Sequence, residues 1–352
     1  MKKFFYGGLA AAMMLAAAAC NSDRLTVPNY QNPTPPAVAG DPRGAVQLFV
    51  NGILFRDRQG AAGYINGVGR LGRESQEFAN TEARNISHYV TSLVNDPTGF
   101  ASGGNFGLFY TELLESSNFQ NTINGLTSFT AAEKSASLGF AHTFDAYELY
   151  LAITVRGGGP GSLAAYGLPV TINADPAVLT PFVSRDSVYN YIIGLLNQAK
   201  TELAAGGAAF PFSLNAGFTS NGTFNTPATF LQFNRALAAR VNATRASLGV
   251  AGCGAPKSAA CYTTVLTNLT ESFFSPAPAD FTKGVYRIYS TAANDAVNGF
   301  APASDPSNLA HPSIRADAQA GDTRVAAKTF LLASPIPSPG NYDIATNVDF
   351  LL

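Results

Sequence analysis

The chain has 352 residues, and 22 Lys+Arg against 23 Asp+Glu give a net charge of -1, which excludes both a polybasic nucleic-acid binder and an acidic solvating tail. Charged residues make up 13% and hydrophobic residues 46%, a balance that excludes disorder and supplies a sizeable core. With three His, three Cys and no Trp, metal and nucleophile chemistry have few side chains to draw on.

Lys2 and Lys3 precede an apolar, alanine-rich run from Phe4 to Ala19 that ends at Cys20, the order of an export signal over residues 1–19. The run is about 16 residues long, short of the roughly 20 a membrane-spanning helix needs. Ala17, Ala18 and Ala19 directly before a cysteine resemble a bacterial lipoprotein cleavage box, so Cys20 is expected to be the lipidated first residue of the mature chain. An ordinary cleaved signal is the plainer alternative. Residues 20–40 carry Pro28, Pro33, Pro35 and Pro36 among polar residues and read as a tether. The folded domain is expected over residues 41–352.

That domain reads as mostly helical. Asp41-Pro42 is a cap-plus-proline start, followed by Val46, Phe49, Val50, Ile53 and Leu54 at helical spacing. The segment from Tyr64 to Asn105 reads as loop, because Gly60, Gly63, Gly67, Gly69 and Gly72 crowd its beginning. A helix is expected from Leu108 to Ile123, ending at Gly125. Thr130 and Glu133 form a capping box for a helix with Phe140, Phe144, Tyr147 and Leu151 on one face, ended by Arg156 and the Gly157–Pro160 run. Ser184 opens another helix, with Val188, Ile192, Leu195, Ala199 and Leu203, and Thr226-Pro227 opens one that continues to Gly249. A short helix is expected from Tyr262 to Phe274. Beyond Ser275 the periodicity fades, leaving Val285–Tyr289 and Phe330–Leu332 as strand candidates.

Cys253 and Cys261 lie eight positions apart in a Gly- and Pro-containing segment of an exported chain, so a disulfide is expected; a zinc site would need further ligands, and no histidine lies near. Gly67-Val-Gly69-Arg-Leu-Gly72 fits a dinucleotide-binding pattern, but no strand precedes it, so it reads as a flexible loop and no cofactor is expected. No G-x-S-x-G occurs, His142 sits inside the Phe140–Leu151 helix as a packed or surface residue, and His88 and His311 have no nearby paired ligand, so no catalytic residue and no metal site is expected. Glu74 and Glu77, and Glu112 and Glu115, read as solvated helix faces. Carboxylate pairing for glycoside hydrolysis depends on the fold, which keeps an exported glycosidase open as an alternative.

The Cys20 start, Leu25-Thr-Val-Pro-Asn-Tyr-Gln-Asn-Pro33, Phe109-Tyr-Thr-Glu-Leu with Asn118, the Phe140–Leu151 helix running into Gly167-Leu-Pro169-Val, Ser184-Arg-Asp-Ser-Val-Tyr189 and Phe233–Arg240 together resemble the SusD/RagB family of nutrient-uptake outer-membrane lipoproteins. The resemblance implies a non-enzymatic, mostly α fold with tetratricopeptide-like helix pairs and long irregular loops. It also implies a lipid-anchored, cell-surface protein of the outer membrane that captures nutrient, commonly oligosaccharide, beside a SusC-like TonB-dependent channel. A structural or adhesive surface lipoprotein is the alternative of a different class. Family members are longer and finish with further helices, which this chain is expected to lack. The family places its ligand on exposed loops, so Tyr64, Asn66, Arg70, Tyr89 and Asn95 become the candidates for sugar contact, with aromatic faces and amide or guanidinium donors.

Overall fold

The structure, a computed structural model, describes residues 39–77, 82–91, 103–156, 167–298, 308–331 and 348–350, apart from 174, 176, 177, 294 and 312. The export signal, Cys20, nearly all of the tether, the Gly157–Pro160 run and Asn95 lie outside the described residues.

Helix α1 spans Pro42–Leu71 and starts where Asp41 accepts a hydrogen bond from the Gly44 amide at 3.0 Å. Its buried stripe, Val46, Phe49, Val50, Ile53 and Leu54, has the expected spacing and then continues through Asp57, Gly60 and Ala61. The loop expected from Tyr64 onward is therefore corrected at its beginning: the glycine-rich segment is helical to Leu71. Close packing is the reason. A Cβ on Gly60 would lie 3.1 Å from Glu148 Oε2 and 3.2 Å from the Phe109 ring, so a side chain there would push neighbouring helices away. Packing at this crossing offsets the roughly 1 kcal/mol that a mid-helix glycine costs.

Helix α2 covers Gly103–Gly125, starting earlier than its sequence pattern, and α3 covers Ala131–Val155. The capping box that begins α3 is formed: the Glu133 amide donates to Thr130 Oγ1 at 3.2 Å, and the Thr130 amide donates to Glu133 Oε2 at 2.9 Å. Buried side chains surround α3 on nearly every side, as suits the central helix. Helix α4, Arg185–Ala204, is capped by Ser184, which accepts from the Ser187 amide at 3.1 Å. Helix α5, Pro227–Leu248, ends at Gly249 in the left-handed region (φ 71°), and α6 covers Ala259–Thr270. Between α5 and α6, Cys253 and Cys261 are bonded, with Cα atoms 5.8 Å apart.

Each of these helices packs on the next along the chain, α1 on α2, α2 on α3, α3 on α4, α4 on α5 and α5 on α6, the arrangement of a repeat array. Buried Arg235 of α5 ties three of them together by donating to the Leu196 carbonyl, to Asn197 Oδ1 at 3.2 Å and to Asn268 Oδ1 at 3.1 Å. Two apolar clusters result. One gathers Leu149, Tyr150, Tyr189, Ile192, Leu237 and Val241, and the other is built largely of phenylalanine. In the second, Phe140 meets Phe144, Phe212 and Phe230 with ring centroids 4.9, 5.2 and 5.6 Å away, all tilted or edge-on.

Strand content is small. Antiparallel pairs join β1 (Ser75–Glu77) to β2 (Asn308–Ala310) and β3 (Thr329–Leu331) to β4 (Val348–Phe350). The strand expected at Phe330–Leu332 is thus present one residue earlier. The one expected at Val285–Tyr289 is corrected: the segment belongs to no sheet among the described residues, and its Tyr286 amide donates to the Gly217 carbonyl at 3.0 Å. It is held as a strap across the helices. No helix of the described residues is long and apolar enough to cross a membrane.

Candidate ligand cavity

Three helices and three other segments surround a cavity of about 260 Å3, just below the roughly 300 Å3 at which the usual range for small-molecule sites begins. Helical spacing decides which side chains reach it. From α1 come Leu54, Asp57 and Arg58, at i, i+3 and i+4; from α3 come Phe144 and Tyr147, at i and i+3. Helix α5 contributes Phe233, Ala236, Leu237 and Arg240, one face over two turns. Asn215 and Phe218 close one side, and Phe273 with the strap Gly284–Arg287 closes the other. The walls are therefore mainly aromatic, with a few polar groups converging on them.

The polar groups differ in how far they are committed. Arg287 donates from Nε to Asp57 Oδ2 at 2.8 Å and from Nη2 to Asp57 Oδ1 at 2.7 Å, a two-pronged pair that fastens the strap to α1. Its guanidinium also lies 4.8 Å from the centroid of the Tyr147 ring. Burial works against the Arg287 charge, but Asp57 and Tyr147 more than offset it and hold the guanidinium above its ordinary pKa. Arg58 donates to the Ile288 carbonyl at 2.6 Å and pairs with Asp295 at 2.7 Å. Arg240 is exposed, lies 5.5 Å from the Tyr150 ring centroid and pairs with no carboxylate among the described residues.

Behind the cavity, carboxyl groups lie buried between α1, α2 and α3. Glu112, expected on a solvated face, has no exposure, nor has Glu148; neither carboxyl oxygen of Glu112 has a hydrogen-bond partner, and the Glu148 carboxyl lies beside that of Asp57. Burial pushes both well above the usual carboxylate range; the neighbouring charges of Glu148 on Glu112, and of Asp57 on Glu148, push further the same way. Burial also raises Asp145 to about 6, against the opposing effect of Ser116, His142 and Gln120. His142, expected as a packed or surface residue of its helix, meets Glu202 Oε2 through Nδ1 at 2.7 Å. A wider depression of about 420 Å3 over α3 and α4 is floored by Gln120, His142 and Asp145 and walled by Tyr191, and it lacks the aromatic enclosure of the first. No group of three or more His, Cys, Asp or Glu side chains is placed to hold a metal ion among the described residues.

The residues singled out in the sequence lie elsewhere. Tyr64, Asn66 and Arg70 are on the second half of α1, and Tyr89 is buried in a short wide helical turn, Ser87–Thr91. Tyr64 is half-buried against the apolar cluster that contains Tyr150 and Tyr189. Arg70 bonds Glu77 at 3.1 Å and Asn85 at 3.3 Å, and its guanidinium lies 5.7 Å from the Tyr89 ring centroid. The structure thus brings Arg70 and Tyr89 together where the end of α1 meets β1, and Glu77, expected on a solvated face, is buried there. None of Tyr64, Asn66, Arg70 and Tyr89 lines the cavity. The cavity residues had one sequence signal: Asp57 stands in line with the apolar stripe of α1, three positions after Leu54.

No protein-family model matches the chain, and no curated protein matches it in sequence. In three dimensions it is similar to a SusD/RagB family protein from Bacteroides thetaiotaomicron, with a TM-score of 0.54 and 14% sequence identity. The match covers 85% of this chain and 61% of that one. The chain therefore has the SusD-like helical fold over most of its length and spans under two thirds of the solved relative.

Proposed function

We propose that this protein is an outer-membrane lipoprotein that captures a nutrient, an oligosaccharide, at the cell surface and passes it to a SusC-like TonB-dependent channel. The observation that carries the reading is the SusD-like fold extending over 85% of the chain. In this reading residues 1–19 are the export signal, acylated Cys20 is the anchor, and the ligand sits in the aromatic-walled cavity rather than near Tyr64 and Arg70. Flat apolar sugar faces pack on Phe233, Phe273 and Tyr286, while hydroxyls meet Asn215 and the guanidiniums.

The protein binds its ligand without cleaving it. Glycoside hydrolysis needs two carboxyl groups flanking the scissile bond, about 5–10 Å apart. Asp57 is the single carboxylate among the cavity-lining residues, and both its oxygens are engaged by Arg287. Titrating the purified mature protein with oligosaccharides and peptides in a calorimeter, with chromatography for products, tests capture against cleavage. Binding with intact ligand is expected. A product whose formation one carboxylate substitution abolishes would establish the glycosidase instead. The anchor is tested separately by metabolic labelling with a palmitate analogue, which Cys20→Ala is expected to abolish.

A further inference from the structure

Resting on the cavity as the ligand seat, we infer that the ligand carries a negatively charged group, a carboxylate on a sugar ring, and that Arg240 holds it. Charge in the lining leads to this. Three arginines and one aspartate face the cavity. Arg287 is neutralised by Asp57, with both oxygens in its fork, and Arg58 by Asp295 at 2.7 Å. Arg240 has a ring beneath it but no carboxylate beside it among the described residues. The cavity thus keeps one uncompensated positive charge, at the solvent end of a pocket whose other walls are mainly aromatic.

A guanidinium presents a planar fork that matches a carboxylate with two parallel hydrogen bonds. Placed at the edge of an apolar cavity, it attracts an anion more strongly than it would in open water. Position reinforces the point: Arg240 follows Phe233 by seven residues and Ala236 by four, so its base and the aromatic wall share one face of α5. A ring stacked on Phe233 would carry its charged substituent toward Arg240. Acidic sugars of the uronate type combine these features, whereas a neutral sugar leaves the guanidinium with water alone.

Two disaccharides of identical linkage test this, one ending in glucuronic acid and the other in glucose, each titrated calorimetrically into wild type, Arg240→Gln and Arg240→Lys. Wild type is expected to prefer the acidic sugar by about ten- to a hundredfold, the size of a hydrogen bond between charged groups. Arg240→Gln should lower acidic binding to the neutral level, Arg240→Lys should restore part of the preference, and added salt should reduce it. Arg240 is exposed, so unchanged circular dichroism and melting temperature are expected in both variants. Equal affinity for the two sugars, or a preference that survives Arg240→Gln, overturns the inference while leaving the cavity as the ligand seat. Binding of neither sugar overturns the cavity reading and the inference with it.

Discussion

The phenylalanine cluster and the cavity share three helices, α1, α3 and α5, yet they are opposite kinds of interior. On α1, Phe49, Val50 and Ile53 belong to the cluster, and one turn later Asp57 belongs to the cavity; on α3 the change runs from Phe140 to Tyr147 and Glu148, and on α5 from Phe230 to Arg240. Dispersion and apolar burial dominate at the first end, where rings meet at tilted and edge-on angles. At the other end charged groups are withdrawn from water at a cost that the Asp57–Arg287 fork only partly recovers. The difference teaches where the fold is anchored and where it is adapted to hold something else.

Breaking the apolar end should have the largest effect. Phe140 has no exposure and touches several rings, so Phe140→Ala should remove about 3–5 kcal/mol from the stability measured by denaturant unfolding. At the polar end, Asp57→Ala leaves Arg287 without its partner. Full burial would make that cost about 3–5 kcal/mol, but the Arg287 side chain keeps 29% exposure and part of its hydration, so about 2–3 kcal/mol is expected. The strap is expected to loosen too, which limited proteolysis near residues 284–289 would register as faster cleavage. A Phe140→Ala loss no larger than that of Asp57→Ala would break the comparison.

Acidity sharpens it further. Glu112 and Glu148 have folded-state pKa values raised well above 4.5, so the folded state binds more protons than the unfolded one above pH 4.5. Their contribution is fully present below about pH 4.5 and is lost as pH rises toward the folded values, with a slope of up to about 1.4 kcal/mol per pH unit for each group. Asp145, raised from 3.8 to about 6, and His142, raised from 6.5, act in the same direction over their own windows. Melting temperature should therefore fall between pH 5 and pH 8, and Glu148→Gln, which cannot ionise, should flatten the profile. A profile unchanged by Glu148→Gln would show that this carboxyl does not govern it.

Local signals were readable in the sequence because they act within a few residues. The Asp41, Thr130, Ser184 and Thr226 caps, the apolar stripes, the Gly249 stop and the Cys253–Cys261 pair all concern neighbours along the chain. What escaped depends on distant partners. Gly60 looks like a helix breaker until Phe109 and Glu148 are seen against it, and Val285–Tyr289 has strand composition but meets a short helical turn and α1 instead of a strand. The β1–β2 pair joins residue 75 to residue 310. Cavity residues come from six separate segments, so no one stretch marked the site; Asp57, a charge in the apolar stripe of α1, was the signal that could have pointed to it.

Filling the cavity tests the central claim most directly. Ala236 lines it from the middle of α5, and Ala236→Phe would place a ring in a space of about 260 Å3 while keeping a residue type that the neighbouring positions of the helix already carry. Wild type and variant are titrated calorimetrically with whichever of the two disaccharides wild type binds more tightly, and circular dichroism reports the fold of each. The account predicts that Ala236→Phe remains folded and loses at least about tenfold in affinity, or 1.4 kcal/mol. Undiminished affinity in a folded Ala236→Phe would place the ligand somewhere other than this cavity.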